Sequence, residues 1–141
     1  MSLTVAESPH SVRVTADRTV AALHQRGITL FARVDHAAGA KSVGLELADE
    51  ELLVFGDPKA GTLLMQDDPT VGYELPLRLL VWDAGGRTKV GYRNPAEMAK
   101  NFTLSNRSEV LNRMGALLSE LVAECTGWPL NANSALAGGM T

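Results

Sequence analysis

Leu77 to Tyr92 constrains the fold more than any other stretch of this chain. Leu77, Leu79 and Val81 alternate with Arg78, Leu80 and Trp82, the two-residue period of a strand whose two faces differ. Asp83-Ala84-Gly85-Gly86 then leads into Thr88 to Tyr92, and glycines at such a connection supply the backbone conformations that a tight reversal needs. The pair reads as an antiparallel hairpin.

Upstream, strand and helix signals alternate. His10, Val12 and Val14 fall on one side of a strand-period segment, after which Thr15 or Asp17 caps a helix carrying Val20 and Leu23 and ending at Gly27. Ile28, Leu30, Ala32 and Val34 alternate with Thr29, Phe31 and Arg33, which predicts a strand with one well-buried face. Asp35 stops it and caps a short helix closed near Gly44. The apolar run Leu52 to Phe55 predicts a strand covered on both faces near the middle of the sheet. Asp57-Pro58 opens a helix through Leu63, Leu64 and Met65, because the carboxylate satisfies free N–H groups and the proline ring presets φ. Asn94, Pro95 and Glu97 repeat that logic as a capping box.

A last helix is predicted from Ser108 to Cys125. Val110, Leu111, Met114, Leu117, Leu118 and Leu121 recur at three- and four-residue spacings and form an apolar stripe. The stripe is wider than a lone surface helix needs, so its burial across a twofold homodimer interface is expected. The predicted core is Val20, Leu23, Leu30, Ala32, Val34, Leu53, Val54, Phe55, Leu64, Leu79, Val81 and Val90.

These elements divide the chain into a flexible N-terminus (1–8), a single α+β domain (9–127) and a weakly ordered tail (128–141) rich in Asn, Ala and Gly. The expected fold class is α+β: a mixed, largely antiparallel sheet with helices packed mainly on one face, plus a C-terminal amphipathic helix. The length of 141 residues is enough for one core without disulfides or a structural metal. Cys125 is the only cysteine, and no leader pattern opens the chain, so a cytoplasmic location is expected. With 13 basic against 16 acidic side chains the net charge is −3, which offers no excess of cations to nucleic acid. The longest apolar runs fall short of a membrane span, so no membrane partner is expected. No cofactor is called for.

Several segments taken together, GITLFARVDHAAGAKSVGLEL, ELLVFGDPKAGTLLMQ, ELPLRLLVWDAGG and VGYRNPAEMA, resemble the domain of unknown function 302 family over roughly Val12 to Leu104. Family members commonly carry Asn where this chain has Asp57; both are good N-caps. The resemblance implies a compact α+β domain, often a homodimer, and it implies no defined reaction.

Two segments beginning at the ends of predicted strands are the candidate site. His36 can titrate near neutrality, and the small Ala38 and Gly39 let a ligand approach the backbone. Gly56 and Lys59 lie where a helix start favours negative charge, although Asp57 already occupies the free donors there. If the two segments open side by side, His36, Ala38, Gly39, Gly56 and Lys59 bind a small molecule, expected to be anionic, without catalysis. The alternatives are a small enzyme using His36 as general acid/base, with Asp57 or Asp83, and a protein-interaction module. The spacing of His10, His24 and His36 gives no metal-ligand pattern, so no metal is expected. Trp82 and Tyr92 either line a pocket or pack on each other across the hairpin.

Overall fold

Every strand pairing in the sheet is antiparallel, and that one fact sets where each loop emerges. The structure, a computed structural model, describes residues 2–127. In order come β1 (Thr4–Ser8), α1 (Val12–Gln25), β2 (Thr29–Asp35), α2 (His36–Ser42), β3 (Glu50–Gly56), α3 (Pro58–Asp67), β4 (Leu77–Ala84), β5 (Arg87–Tyr92), α4 (Met98–Asn101) and α5 (Ser108–Cys125). Short 3-10 helices, Pro69–Glu74 and Pro95–Glu97, precede β4 and α4. The five strands lie in the order β1-β5-β4-β3-β2. The fold is α+β, as expected.

The hairpin closes as its sequence implies. Gly85 and Gly86 adopt φ of +64° and +93°, and the Gly86 N–H donates to Asp83 Oδ1 at 2.7 Å. From there the register pairs Val81 with Val90 and Leu53 with Leu79. Those four side chains and Phe55 are fully buried, on the face that α1 and α5 cover with Ala16, Leu23, Leu118 and Leu121. Burying each such Leu or Phe stabilises the fold by about 1.5–3 kcal/mol.

The structure corrects several expectations. Thr4–Ser8, expected to belong to a flexible start, is an edge strand paired with β5 from Thr4↔Tyr92 to Ser8↔Thr88. The chain around Val12 is helical rather than extended, because Ser11 caps α1 by accepting the Val14 N–H at 3.1 Å. Leu30, Ala32 and Val34 do not share a face. A bulge at Phe31 sets Leu30 opposite Phe55 but Ala32 opposite Val54, so the alternation flips to the other side of the sheet. Val34 is consequently exposed and Ala32 and Val54 are half-buried, outside the core. The Leu52–Phe55 run is covered fully on one face only, and the central strand is β4. The 128–141 tail lies outside the described residues.

The stripe on α5 is also put to a different use. Leu111, Leu118, Leu121 and Cys125 are consumed inside the protomer, packed in the core with α1 and the sheet. The stripe therefore gives no support to a twofold interface through this helix.

Candidate functional site

Among the described residues a hollow opens where β3 ends and β2 and β4 begin. Its floor comes from Ile28, Gly56 and Leu77, one wall from α3, and the other from the first half of α5. The volume is about 610 Å³. Leu64 on α3 is fully buried and anchors that helix, which leaves Ala60 and Leu63 half-buried and Met65 38% exposed along the opening. On α5, Val110, Met114 and Leu117 follow one another at four- and three-residue spacing and present a common face to the hollow. The approach to β4 adds Leu75 and Pro76.

The polar side chains of the lining, Asp57, Lys59, Thr62 and Arg113, are all exposed. Asp57 Oδ1 accepts the Lys59 N–H at 3.0 Å, so this carboxylate is committed to starting α3. Among the described residues no carboxylate lies within 4.0 Å of the Lys59 ammonium or the Arg113 guanidinium. The two helices are joined at their far ends. Arg107, just before α5, donates to Asp67, the last residue of α3, and the neighbouring Asp68 accepts the Thr103 N–H at 2.9 Å. The Arg107 guanidinium holds the Asp67 carboxyl below the usual carboxylate range, and hydrogen bonds from Thr70 and Thr103 do the same for Asp68.

The predicted site residues divide between two ends of the sheet. Gly56 and Lys59 line the cleft. His36, Ala38 and Gly39 do not: β2 runs antiparallel to β3, with Asp35 opposite Glu51 and Thr29 opposite Gly56. The two strand ends are thus about 17 Å apart along the strand direction. A single site containing all five residues is ruled out by this pairing. Side-by-side exits of that kind require parallel strands.

At its own end His36 is exposed, and Asp35 spends its carboxylate on the Ala38 N–H at 2.9 Å. Among the described residues His36 has no hydrogen bond to a carboxylate; of its two suggested partners, Asp57 stands at the opposite end and Asp83 accepts the Gly86 N–H in the hairpin turn. No group of three or more His, Cys, Asp and Glu side chains gathers among the described residues in a way that could hold a metal. Trp82 and Tyr92 lie on opposite faces of the hairpin, since Trp82 pairs with Lys89 and packs its ring over Gly91. Tyr92 packs toward the core.

Sequence reasoning overlooked Ile28, Leu75, Arg113, Met114 and Leu117 as site residues. A usable signal was the width of the α5 stripe: part of it closes the core, and the remainder walls the cleft.

Comparison with known proteins places these features in context. The model of the domain of unknown function DUF302 matches residues 4–121. The chain is 44% identical over 109 residues to the fluoride-specific ion channel FluC 1 of Brucella suis biovar 1 (strain 1330), covering 77% of this chain and 43% of that protein. Identity to the fluoride-specific ion channel FluC 1 of Brucella abortus biovar 1 (strain 9-941) is also 44%, over 77% of this chain and 40% of the relative. The chain thus spans about two fifths of the length of these curated relatives. Among the described residues no helix is long and apolar enough to cross a membrane. The crystal structure of an uncharacterized conserved DUF302 protein from Bacillus stearothermophilus superimposes with a TM-score of 0.69 at 20% identity, covering 89% of this chain and 96% of that one. That likeness is one of fold.

Proposed function

The chain belongs to the DUF302 family, a domain of unknown function, and from that premise we propose that it is a non-catalytic small-molecule-binding domain whose site is the cleft between α3 and α5. The supporting observation is the cleft itself: about 610 Å³, within the size range of ligand sites, walled by apolar side chains that the fold leaves partly uncovered. Binding is favoured over catalysis because Asp57, Lys59 and Arg113 are the charged groups at the opening, and Asp57 is held by its role as a cap. The reading concerns this domain alone, because the chain covers about two fifths of the relatives named as channels and no described helix is long and apolar enough to cross a membrane.

A thermal-shift screen of small metabolites tests the reading, because a ligand that binds only the native state raises apparent stability. Hits are expected to lose their shift in Leu117→Trp, which fills the cleft, and to keep it in His36→Ala. Shifts that survive Leu117→Trp would refute the proposed location.

A homodimer, read as cytoplasmic from the sequence, is the accompanying reading, and its dimeric part is supported by the sheet face turned away from α1 and α5. That face carries Val5 at 49% and Val34 at 39% exposure, with Leu52, Val54, Leu80 and Trp82 half-buried between them. Beyond α2, Val43, Leu45 and Leu47 are 71%, 65% and 48% exposed. The same sheet face carries Arg78, Glu50 and the Glu7–Lys89 ion pair among its apolar side chains; a mixed surface of this kind suits an interface, and a second copy supplies a matching face by symmetry. Sedimentation at low micromolar concentration should show a dimer that Leu80→Glu converts to monomer. A monomeric wild-type protein would end this reading.

A further inference from the structure

We infer that the ligand of the cleft is an amphipathic carboxylate, an apolar body carrying one anionic head; this rests on the cleft-binding reading above and names the chemistry it selects. The depth of the hollow and its rim make opposite demands. Ile28, Leu75, Leu77 and Met114 offer no hydrogen-bonding side-chain group, so a polar body placed there loses its water without replacement. The apolar part of the ligand belongs among them.

At the rim the demand is for negative charge. Lys59 on α3 and Arg113 on α5 stand on the two walls, both exposed and without a carboxylate within 4.0 Å among the described residues. Arg13, Arg18, Lys41, Arg78 and Lys100 also have no acidic partner among the described residues, but Lys59 and Arg113 are the two cations that line the cleft. The opposing rim charge is Asp57, whose Oδ1 faces the backbone of its own helix by accepting the Lys59 N–H. Two cations against one committed carboxylate leave the opening positive on a chain whose net charge is −3. The planar fork of a guanidinium suits a carboxylate, and the ammonium of Lys59 adds a second positive charge from the other wall. A small inorganic anion would satisfy the rim and leave the apolar walls wet.

The test is calorimetric titration of the full chain, below the micelle concentration of each probe, with decanoate, decanamide, decylammonium and acetate. Decanoate is expected to bind about ten-fold tighter than decanamide, with decylammonium and acetate weaker still. Arg113→Met and Lys59→Met should each weaken decanoate about three- to ten-fold while leaving decanamide unchanged, and raised salt should do the same because the rim is exposed. Equal affinity for decanoate, decanamide and decylammonium would overturn the anionic head while leaving the cleft as a binding site. Acetate binding as tightly as decanoate would overturn the apolar body. If none of the long-chain probes binds and the metabolite screen also gives no cleft-dependent shift, both readings fail together.

Discussion

Arg107 grips Asp67 with two bonds, Nε to Oδ2 at 2.9 Å and Nη2 to Oδ1 at 3.2 Å. The pair joins the last residue of α3 to the residue that precedes α5, so the two walls of the cleft are tied at one end by a forked ion pair. Asp68, one residue on, secures the same junction through the Thr103 N–H. Cleft width and the position of α3 therefore depend on carboxylates that must stay ionised.

Acid should loosen this junction. The Arg107 guanidinium lowers the folded-state pKa of Asp67 relative to the unfolded chain. Its contribution to stability is complete above the unfolded value, about 4, and is lost as the pH falls through the lowered folded value. Urea unfolding from pH 7 down to pH 2 should show Asp67→Asn to be less stable than wild type at pH 7, with the gap closing in acid. A gap that stays constant across that range would show that the ion pair contributes nothing to the fold.

A second prediction concerns the first strand. Ser8 Oγ lies 2.7 Å from Thr15 Oγ1, and Thr15 is fully buried on α1. Ser8→Ala removes the partner of a buried hydroxyl and also frees the His10 N–H, which donates to Ser8 at 3.1 Å. The expected cost is about 1–3 kcal/mol. Adding Thr15→Val should recover much of it, because the stranded hydroxyl is then gone. Denaturant midpoints of the two single variants and the double variant measure this, and a neutral Ser8→Ala would mean that residues 4–8 do not hold α1 in place.

Gly91 is the third. A Cβ at this position would lie 3.1 Å from the Trp82 ring and 3.2 Å from Leu3, so the indole rests on bare backbone. Gly91→Val should destabilise by about 1–3 kcal/mol despite the better strand propensity of valine. In the Trp82→Ala background the same substitution should cost less, a coupling that a double-mutant cycle reads directly. Additive effects would contradict the close packing.

What the sequence determined by itself is the local grammar. Asp35, Asp57 and Asn94 stand before helical segments and accept N–H bonds there, Gly85 and Gly86 close the hairpin, and the burial of Leu53, Phe55, Leu79, Val81 and Val90 follows from their strand positions. Caps, turns and two-residue alternation act within a few residues, so they can be read from neighbours in the chain. The family resemblance was legible in the same way, through motifs around FGDP and the β4 strand.

Tertiary structure decided everything that depends on which segments meet. Thr4–Ser8 has no periodicity of its own to announce a strand; it becomes one because β5 would otherwise present an open edge. The bulge at Phe31 appears only in the pairing with β3, and it moves Val34 from core to surface. Antiparallel pairing of β2 with β3 carried His36 away from Lys59, while α5, more than forty residues further along the chain, brought Arg113 to the cleft that Lys59 borders. A helix stripe states how much apolar surface must be covered and is silent on the partner, because burial is non-directional. Only the packed chain distributes that stripe between a core and the wall of a cleft.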